Sequence, residues 1–154
     1  MRPKRPKAEQ IFVWTGVVAQ LVRTRCNQLL DQIGLPYSQF TLLLHFSHDP
    51  DREWTVTELA DAFQQPQPGI SKTVQKLVER RWLASRRDDR DGRVRWLRVT
   101  GRGLAKRDAA MARLAPDMAR FLGGWTPDEV DAFHRLLERL KTDLDEARDA
   151  EAAG

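Results

Sequence analysis

The sequence predicts a mainly α-helical protein of the α+β class, in which one two-stranded hairpin interrupts a series of helices. Three observations support this prediction. Apolar residues recur at helical spacing through most of the 154 residues. Capping residues and prolines mark the starts of several helices. The stretch SRRDDRDGRVRWLRVT, residues 85–100, alternates in character on either side of a glycine-containing turn, as the strands of a hairpin do.

The first two helices are predicted from apolar stripes. Gly34 ends the first stripe, and Pro36 opens the second helix, which leads to the turn-forming segment HDPDRE at residues 48–53. The first stripe comprises Ile11, Trp14, Val18, Leu21, Val22, Leu29 and Ile33, and the second comprises Phe40, Leu43, Leu44 and Phe46.

The segment TVTELADAF, residues 55–63, predicts a short helix that begins with a capping box. Thr55 and Glu58 have the spacing at which each side chain accepts a hydrogen bond from the backbone amide of the other. Prolines in QQPQPG (64–69) end this helix, and Pro68 suits the first turn of the next one, which is predicted to run to about Arg81. That helix has an apolar side and an opposite polar side that carries Gln67, Ser71, Lys72, Gln75 and Lys76.

Two strands, 82–87 and 93–99, and two long helices complete the predicted order. Thr100 caps the first long helix, and Gly123 and Gly124 end it. The motif TPDE at residues 126–129 caps the last helix. The apolar stripes of the first helix and the last two belong to no obvious small core, so a second copy of the chain is expected to cover them.

The charge of the chain is unevenly distributed. The net charge is +4, yet residues 72–107 hold thirteen basic and four acidic residues, a local excess of +9 that leaves −5 on the remainder. So concentrated a basic block is typical of a surface that binds a polyanion. No apolar run approaches the roughly 20 residues of a membrane span. The single cysteine, Cys26, fits a reducing cytoplasm, where we expect the protein to reside.

Two short helices joined by a tight turn, with a basic hairpin after them, predict a winged helix-turn-helix. The major groove of B-DNA admits an α-helix, so the polar helix is expected to enter it while arginines of the wing contact phosphates and the minor groove. Asp91 precedes Arg93 by two residues at the turn, and we expect its carboxylate to hold that guanidinium in a bidentate pair.

Four segments resemble the MarR (multiple antibiotic resistance regulator) family: LPYSQFTLLLHF, TVTELADAF, ISKTVQKLVERRWL and DDRDGRVRWLRVTGRG. The most specific part is the wing pattern D-x-R-D-x-R at residues 88–93, followed by L-x-V-T-x-x-G at residues 97–103. The resemblance covers nearly the whole chain. It implies a dimeric winged helix-turn-helix transcription regulator, usually a repressor that small aromatic ligands release from DNA. It also implies that the first helix and the last two intertwine across a homodimer, and that Arg93 enters the minor groove.

Three residues depart from the family pattern. Gln64 and Gln65 stand where the turn of the helix pair usually carries glycine and then an apolar residue, and Arg81 stands where the recognition helix usually ends at glycine. A left-handed backbone at Arg81 would cost about 1 kcal/mol.

The predicted organisation is one compact unit with long dimerisation helices at both ends. Residues 1–34 form an N-terminal arm and a dimerisation helix, residues 35–100 the DNA-binding domain, and residues 101–154 the C-terminal dimerisation helices. The expected partners are a pseudo-palindromic double-stranded operator, a second copy of the chain and a small aromatic effector, with no cofactor and no membrane.

The predicted DNA-binding residues lie in the polar helix and the wing. Gln67, Ser71 and Gln75 are the candidates for base edges, whereas the basic side chains supply mainly phosphate contacts. The full set is Gln67, Pro68, Ser71, Lys72, Gln75, Lys76, Arg86, Arg87, Arg90, Asp91, Arg93 and Arg95. A pocket for the effector is expected at residues from segments that border a crevice in the family: Trp14, Phe40, Phe46, His48 and Trp54.

Three other interpretations are open from the sequence. The regulator could act without a ligand, or it could sense oxidants through Cys26, whose pKa the neighbouring Arg23 and Arg25 could lower. A helical metal-dependent enzyme would rest on His45 and His48, which are three residues apart. Because no phosphate-binding loop or hydrolase nucleophile motif occurs, we do not expect an enzyme.

Overall fold

A computed structural model describes residues 6–152 as six helices and a two-stranded antiparallel sheet. The elements follow the predicted order, which confirms the mainly helical fold with one hairpin. Residues 1–5 of the basic segment MRPKRPK and residues 153–154 of the tail EARDAEAAG lie outside the described residues. The elements are α1 Lys7–Asp31, α2 Tyr37–His48, α3 Val56–Phe63, α4 Gln67–Glu79, β1 Leu83–Arg87, β2 Arg95–Val99, α5 Gly101–Leu122 and α6 Pro127–Ala152.

The chain divides into two units, residues 1–114 and residues 115–154. The first unit contains the hydrophobic core, to which α2, α3, α4, both strands, the end of α1 and the start of α5 contribute. Burying each large apolar side chain contributes about 1.5–3 kcal/mol, so this core fixes α4 and the sheet in one arrangement. Its fully buried large side chains are Phe46, Leu30, Leu35, Leu42, Leu43, Leu59, Leu77, Leu83 and Leu97.

The predicted helix starts are confirmed by their hydrogen bonds. At α3 the Thr55 hydroxyl accepts from the Glu58 amide (3.2 Å), and the Glu58 carboxylate accepts from the Thr55 amide (2.7 Å). The same capping box occurs at the start of α6 between Thr126 and Glu129. These bonds satisfy amides that have no partner within the helix, and each cap contributes about 1 kcal/mol.

Three helices end with a residue in the left-handed conformation. Gly34 (φ 65°) follows α1, Gln64 (φ 51°) follows α3, and Arg81 (φ 59°) follows α4. At Arg81 its own amide donates to the Val78 carbonyl, and the next amide, that of Trp82, donates to the Leu77 carbonyl. Arg81 therefore forms a left-handed cap where the family pattern has glycine, and Gln64 adopts the same strained conformation.

Replacing Arg81 with glycine is expected to stabilise the protein by about 0.5–1 kcal/mol, because glycine adopts a positive φ without the Cβ clash. Urea unfolding of R81G beside R81A separates this effect from the loss of charge. The alanine variant keeps the strain and should show no gain. A glycine variant no more stable than the alanine variant would contradict this account of the cap.

Apolar side chains are exposed in both units. On α1 they include Phe12 (82% exposed) and Trp14 (61%). In the second unit, α6 buries none of its described residues. Among residues 6–152, no helix combines the length and apolar character needed to cross a membrane. The further exposed apolar residues are Ile11, Val13, Val17, Val18, Leu21, Val22, Met118, Phe121, Leu122, Trp125, Phe133, Leu136, Leu137 and Leu144.

Candidate nucleic-acid interface

Helix α4, the candidate recognition helix, is amphipathic, as its sequence predicts. Ile70, Val74 and Leu77 are buried, because they fall on the side that packs against the core. The helix opens with Pro68 in its first turn, where the missing N–H has no helical partner to lose. The polar residues on the other side are exposed: Gln67, Ser71, Lys72, Gln75 and Lys76.

The register of the sheet divides the wing arginines between two faces. Arg87 pairs with Arg95, and Ser85 pairs with Leu97. Because paired residues share a face and alternate residues return to it, Arg87 and Arg95 lie on the face that Leu97 presents to the core and α4. Arg86, paired with Trp96, lies on the opposite face.

A concavity of about 490 Å³ joins α4 to the wing. Gln67 and Ser71 line it from α4, whereas Arg93 and Arg95 line it from the wing. The structure thus brings together one exposed polar helix face and two guanidinium groups that the sequence assigned to DNA contacts. A second concavity of about 460 Å³ continues between α4 and the sheet, lined by Val56, Ser71, Val74, Gln75, Val78, Glu79, Ser85, Arg95 and Leu97.

Arg86 differs from the other predicted phosphate contacts. Its Nε and one terminal nitrogen donate to the two carboxylate oxygens of Glu53, at 2.8 and 2.6 Å. This bidentate pair lowers the pKa of the Glu53 carboxyl and raises the pKa of Arg86. Arg86 thus braces the wing against the turn before α3, on the face away from α4, and its phosphate contact stays a prediction.

The wing tip is organised by Asp88 and Asp91 through backbone amides. Asp91 accepts from the backbone N–H of Arg93 (3.0 Å), and the ion pairs of residues 6–152 include none between these two side chains. The predicted bidentate pair is therefore wrong, because an aspartate two residues before an amide closes a local turn with it. Arg90 and Arg93 at this tip are exposed.

Asp88 is the most heavily bonded side chain of the wing. It accepts from the backbone amides of Arg90 and Asp91, both at 2.9 Å, and from the indole Nε1 of Trp96 at 2.8 Å. These bonds favour the ionised carboxylate and lower the pKa of Asp88 to about 2. One carboxylate thus connects the turn to strand β2.

The wing tip is expected to keep its structure in acid until the pH approaches 2. Since the pKa of Asp88 is lowered on folding, its stabilisation is full above the ordinary value near 3.8 and is lost as pH falls through about 2. The Trp96 indole N–H resonance, followed by NMR between pH 6 and 2, reports the bond. In D88N the resonance should already differ at pH 6; a Trp96 signal that titrates near pH 4 would contradict the prediction.

None of the five residues expected to form an effector pocket lines either of the two concavities described above. Phe40 and Phe46 belong to the buried core, Trp14 is exposed on α1, and His48 is exposed at the end of α2. Trp54 is half-buried and pairs its backbone with Leu97 of β2. A pocket built from all five residues therefore stays a prediction from the sequence. Phe40 and Phe46, the two at helical spacing in α2, contribute to the hydrophobic core instead.

His45 packs among aromatic rings. Its ring lies 4.5 Å from that of Trp54 and 5.2 Å from that of Phe63, measured between centroids. Burial lowers the pKa of His45, and the charges of His48 and Arg52 lower it further. Within residues 6–152, no group of three histidine, cysteine or acidic side chains is placed to hold a metal ion. Cys26 is half-buried beside the core.

Sequence reasoning missed four residues of this region. Glu53 and Trp96 hold the outer face of the wing, Thr57 accepts from Gln67 (2.7 Å), and Glu79 accepts from Gln75 (3.0 Å). The four-residue spacing of Gln75 and Glu79 was a detectable signal, because such residues are neighbours on a helix. The other contacts depend on strand register and on the packing of α3 against α4.

Comparison with known proteins finds the same fold and one family. Residues 33–94 match the model of the MarR family. A crystal structure of MarR is 21% identical, with a TM-score of 0.80 and 97% of each chain covered. A search of curated proteins by sequence finds no match.

Two further solved structures bear on this fold. A MarR protein from Peptoclostridium difficile is 18% identical with a TM-score of 0.77, covering 96% of this chain and 94% of that one. A mutant of E. coli MarR complexed with operator DNA is also 18% identical, with a TM-score of 0.70, covering 87% of this chain and 95% of that one.

Proposed function

We propose that the protein is a transcription regulator of the MarR family that binds duplex DNA as a homodimer, because residues 33–94 match the model of that family. In this proposal α4 enters the major groove, and the wing follows the backbone into the adjacent minor groove. The E. coli MarR structure with operator DNA, which shares the fold, supports this assignment.

One observation carries the proposal: the exposed face of α4 and the inner face of the wing meet at one concavity. Gln67 and Ser71 on α4 can reach base edges, while Arg93 and Arg95 supply positive charge beside them. Lys72 and Lys76 extend the basic surface along the exposed side of α4. Polar groups that read bases and cations that neutralise phosphates are thus presented together.

Homodimer formation is supported by the exposed apolar side chains of each unit. So many exposed apolar side chains on α1, α5 and α6 are typical of an interface rather than of a solvated face. A second copy would cover it by symmetry, and two copies of α4 would then read a pseudo-palindromic site with half-sites about one helical turn apart.

Repression relieved by a small aromatic ligand is the finer part of the proposal. Its support is the resemblance of the chain to a family in which such ligands act. Because Phe40 and Phe46 are buried, a ligand would have to use partly exposed aromatics such as Trp54. Titration of the protein–DNA complex with aromatic carboxylates tests this, with tryptophan emission and DNA affinity as readouts; no change in either would count against it.

The DNA-binding proposal is tested by fluorescence anisotropy with duplexes from the region upstream of the gene, over a range of salt concentrations. Lys72, Lys76, Arg87, Arg93 and Arg95 of each subunit bring about ten cations to the DNA bound by one dimer. The logarithm of the association constant should therefore fall with a slope of roughly −9 against the logarithm of salt concentration. Binding that is absent at low salt would refute the proposal.

A further inference from the structure

Gln75 and Glu79 form a side-chain pair on the exposed surface of α4. The Gln75 amide nitrogen donates to a Glu79 carboxylate oxygen at 3.0 Å, one helical turn further along. Both residues line the concavity of about 460 Å³ between α4 and the sheet, together with Arg95. The pair thus lies within the surface assigned to DNA.

The carboxylate of Glu79 fixes which way the Gln75 amide points. An ionised carboxylate only accepts hydrogen bonds, so the amide nitrogen, and not the carbonyl oxygen, must face it. Gln67 is different because its partner is the Thr57 hydroxyl, which can donate or accept. The orientation of the amide is therefore determined at Gln75 and left free at Gln67.

The helix dipole does not favour an acid at this position. Glu79 is the last residue of α4, where the helix dipole presents its negative end and favours cations instead. Near DNA its charge also repels phosphates. Glu79 is thus unfavourable both for the helix dipole and for DNA binding. Its presence is explained if it orients Gln75, a neighbour that reads bases.

We propose that Glu79 is a positioning residue that prepares Gln75 to read adenine in the major groove. With one N–H engaged by Glu79, the amide retains a second N–H and its carbonyl oxygen. This donor–acceptor pair matches the N7 acceptor and the N6 amino donor of adenine. The proposal rests on the DNA-binding function proposed above, and it adds the base that one residue reads and the residue that orients it.

The experiment selects binding sites from a random duplex library with the full-length protein, then measures affinities for the selected site with each base substituted in turn. At one symmetric position per half-site, Q75A should lose about tenfold in its preference for adenine, the discrimination expected of one bidentate contact. E79A should lose about fivefold at the same position, because the amide is then free to rotate. The double variant should lose no more than Q75A alone.

The charge-matched control is D89A, which removes one acid from the wing and should change affinity for all sequences alike. The measured quantity is the ratio of the affinities for sites that differ in one base. The weaker repulsion of phosphates in E79A affects both affinities equally and therefore cancels from this ratio. An unchanged adenine ratio in E79A, or a Q75A effect at a base other than adenine, would overturn the inference while leaving the DNA-binding function intact. A wild-type protein that enriches no sequence would instead refute the proposed function and remove the basis for the inference.

Discussion

Replacing Gly103 with alanine is expected to lower the free energy of unfolding by about 3 kcal/mol, the upper end of what overpacking costs. A Cβ at this position would lie 2.2 Å from the Trp82 carbonyl oxygen and 2.9 Å from Val99 Cγ2. The first of these atoms is backbone, and it already accepts from the Thr100 amide at 3.1 Å. The clash of an alanine Cβ with this oxygen can therefore be removed only if α5 moves away from the wing.

Gly101 provides the matched control for this prediction. It lies in the same first turn of α5, but a Cβ there would have no atom within 4 Å. G101A should be as stable as the parent protein or slightly more so, since alanine favours the helix. Urea unfolding followed by circular dichroism measures both variants. Equal stability of G103A and G101A would show that α5 does not approach the wing this closely.

Removing Arg93 and Arg95 together is expected to weaken DNA binding about 100-fold at 0.1 M salt and to reduce the salt slope by roughly 3 to 4, because a dimer loses four cations. Both guanidinium groups line the concavity beside α4, where phosphates of a bound duplex would lie. Anisotropy titrations of R93A/R95A at several salt concentrations give both quantities.

Arg86 is the internal comparison for this experiment. It has the same charge and the same strand as Arg87, yet it lies on the outer face and pairs with Glu53. R86A should therefore change DNA affinity by less than about threefold, since an exposed, paired cation contributes little. If R86A and R93A/R95A weaken binding to the same extent, the assignment of the inner face to DNA is wrong.

Much of the fold is predictable from the sequence because local signals agree with one another. Thr55 and Glu58 define the start of α3, and Pro68 with the apolar residues Ile70, Val74 and Leu77 defines α4. The wing was located because its alternating residues flank a glycine-containing turn. The end of α4 near Arg81 was predicted, and the family pattern usually has glycine at that position.

The roles of individual wing residues were less predictable, because they depend on strand register. Residues 88–94 separate β1 from β2, and a loop of this length does not determine which residues pair. The sequence therefore does not indicate on which face of the wing Arg86 lies. The predicted ion pair of Asp91 with Arg93 is wrong because the Asp91 carboxylate accepts from the backbone amide of Arg93 instead. The residue types alone do not distinguish this contact from a pair between the two side chains.

The central claim is that two copies of the chain together present α4 and the inner face of the wing to one duplex. Sedimentation velocity of the full-length protein with a fluorescently labelled duplex, carrying the site selected from the random library, measures this directly. We predict a dimer when DNA is absent and a complex of two chains per duplex that dissociates as salt is raised. A monomer that leaves the duplex sedimenting as free DNA in low salt would contradict the claim.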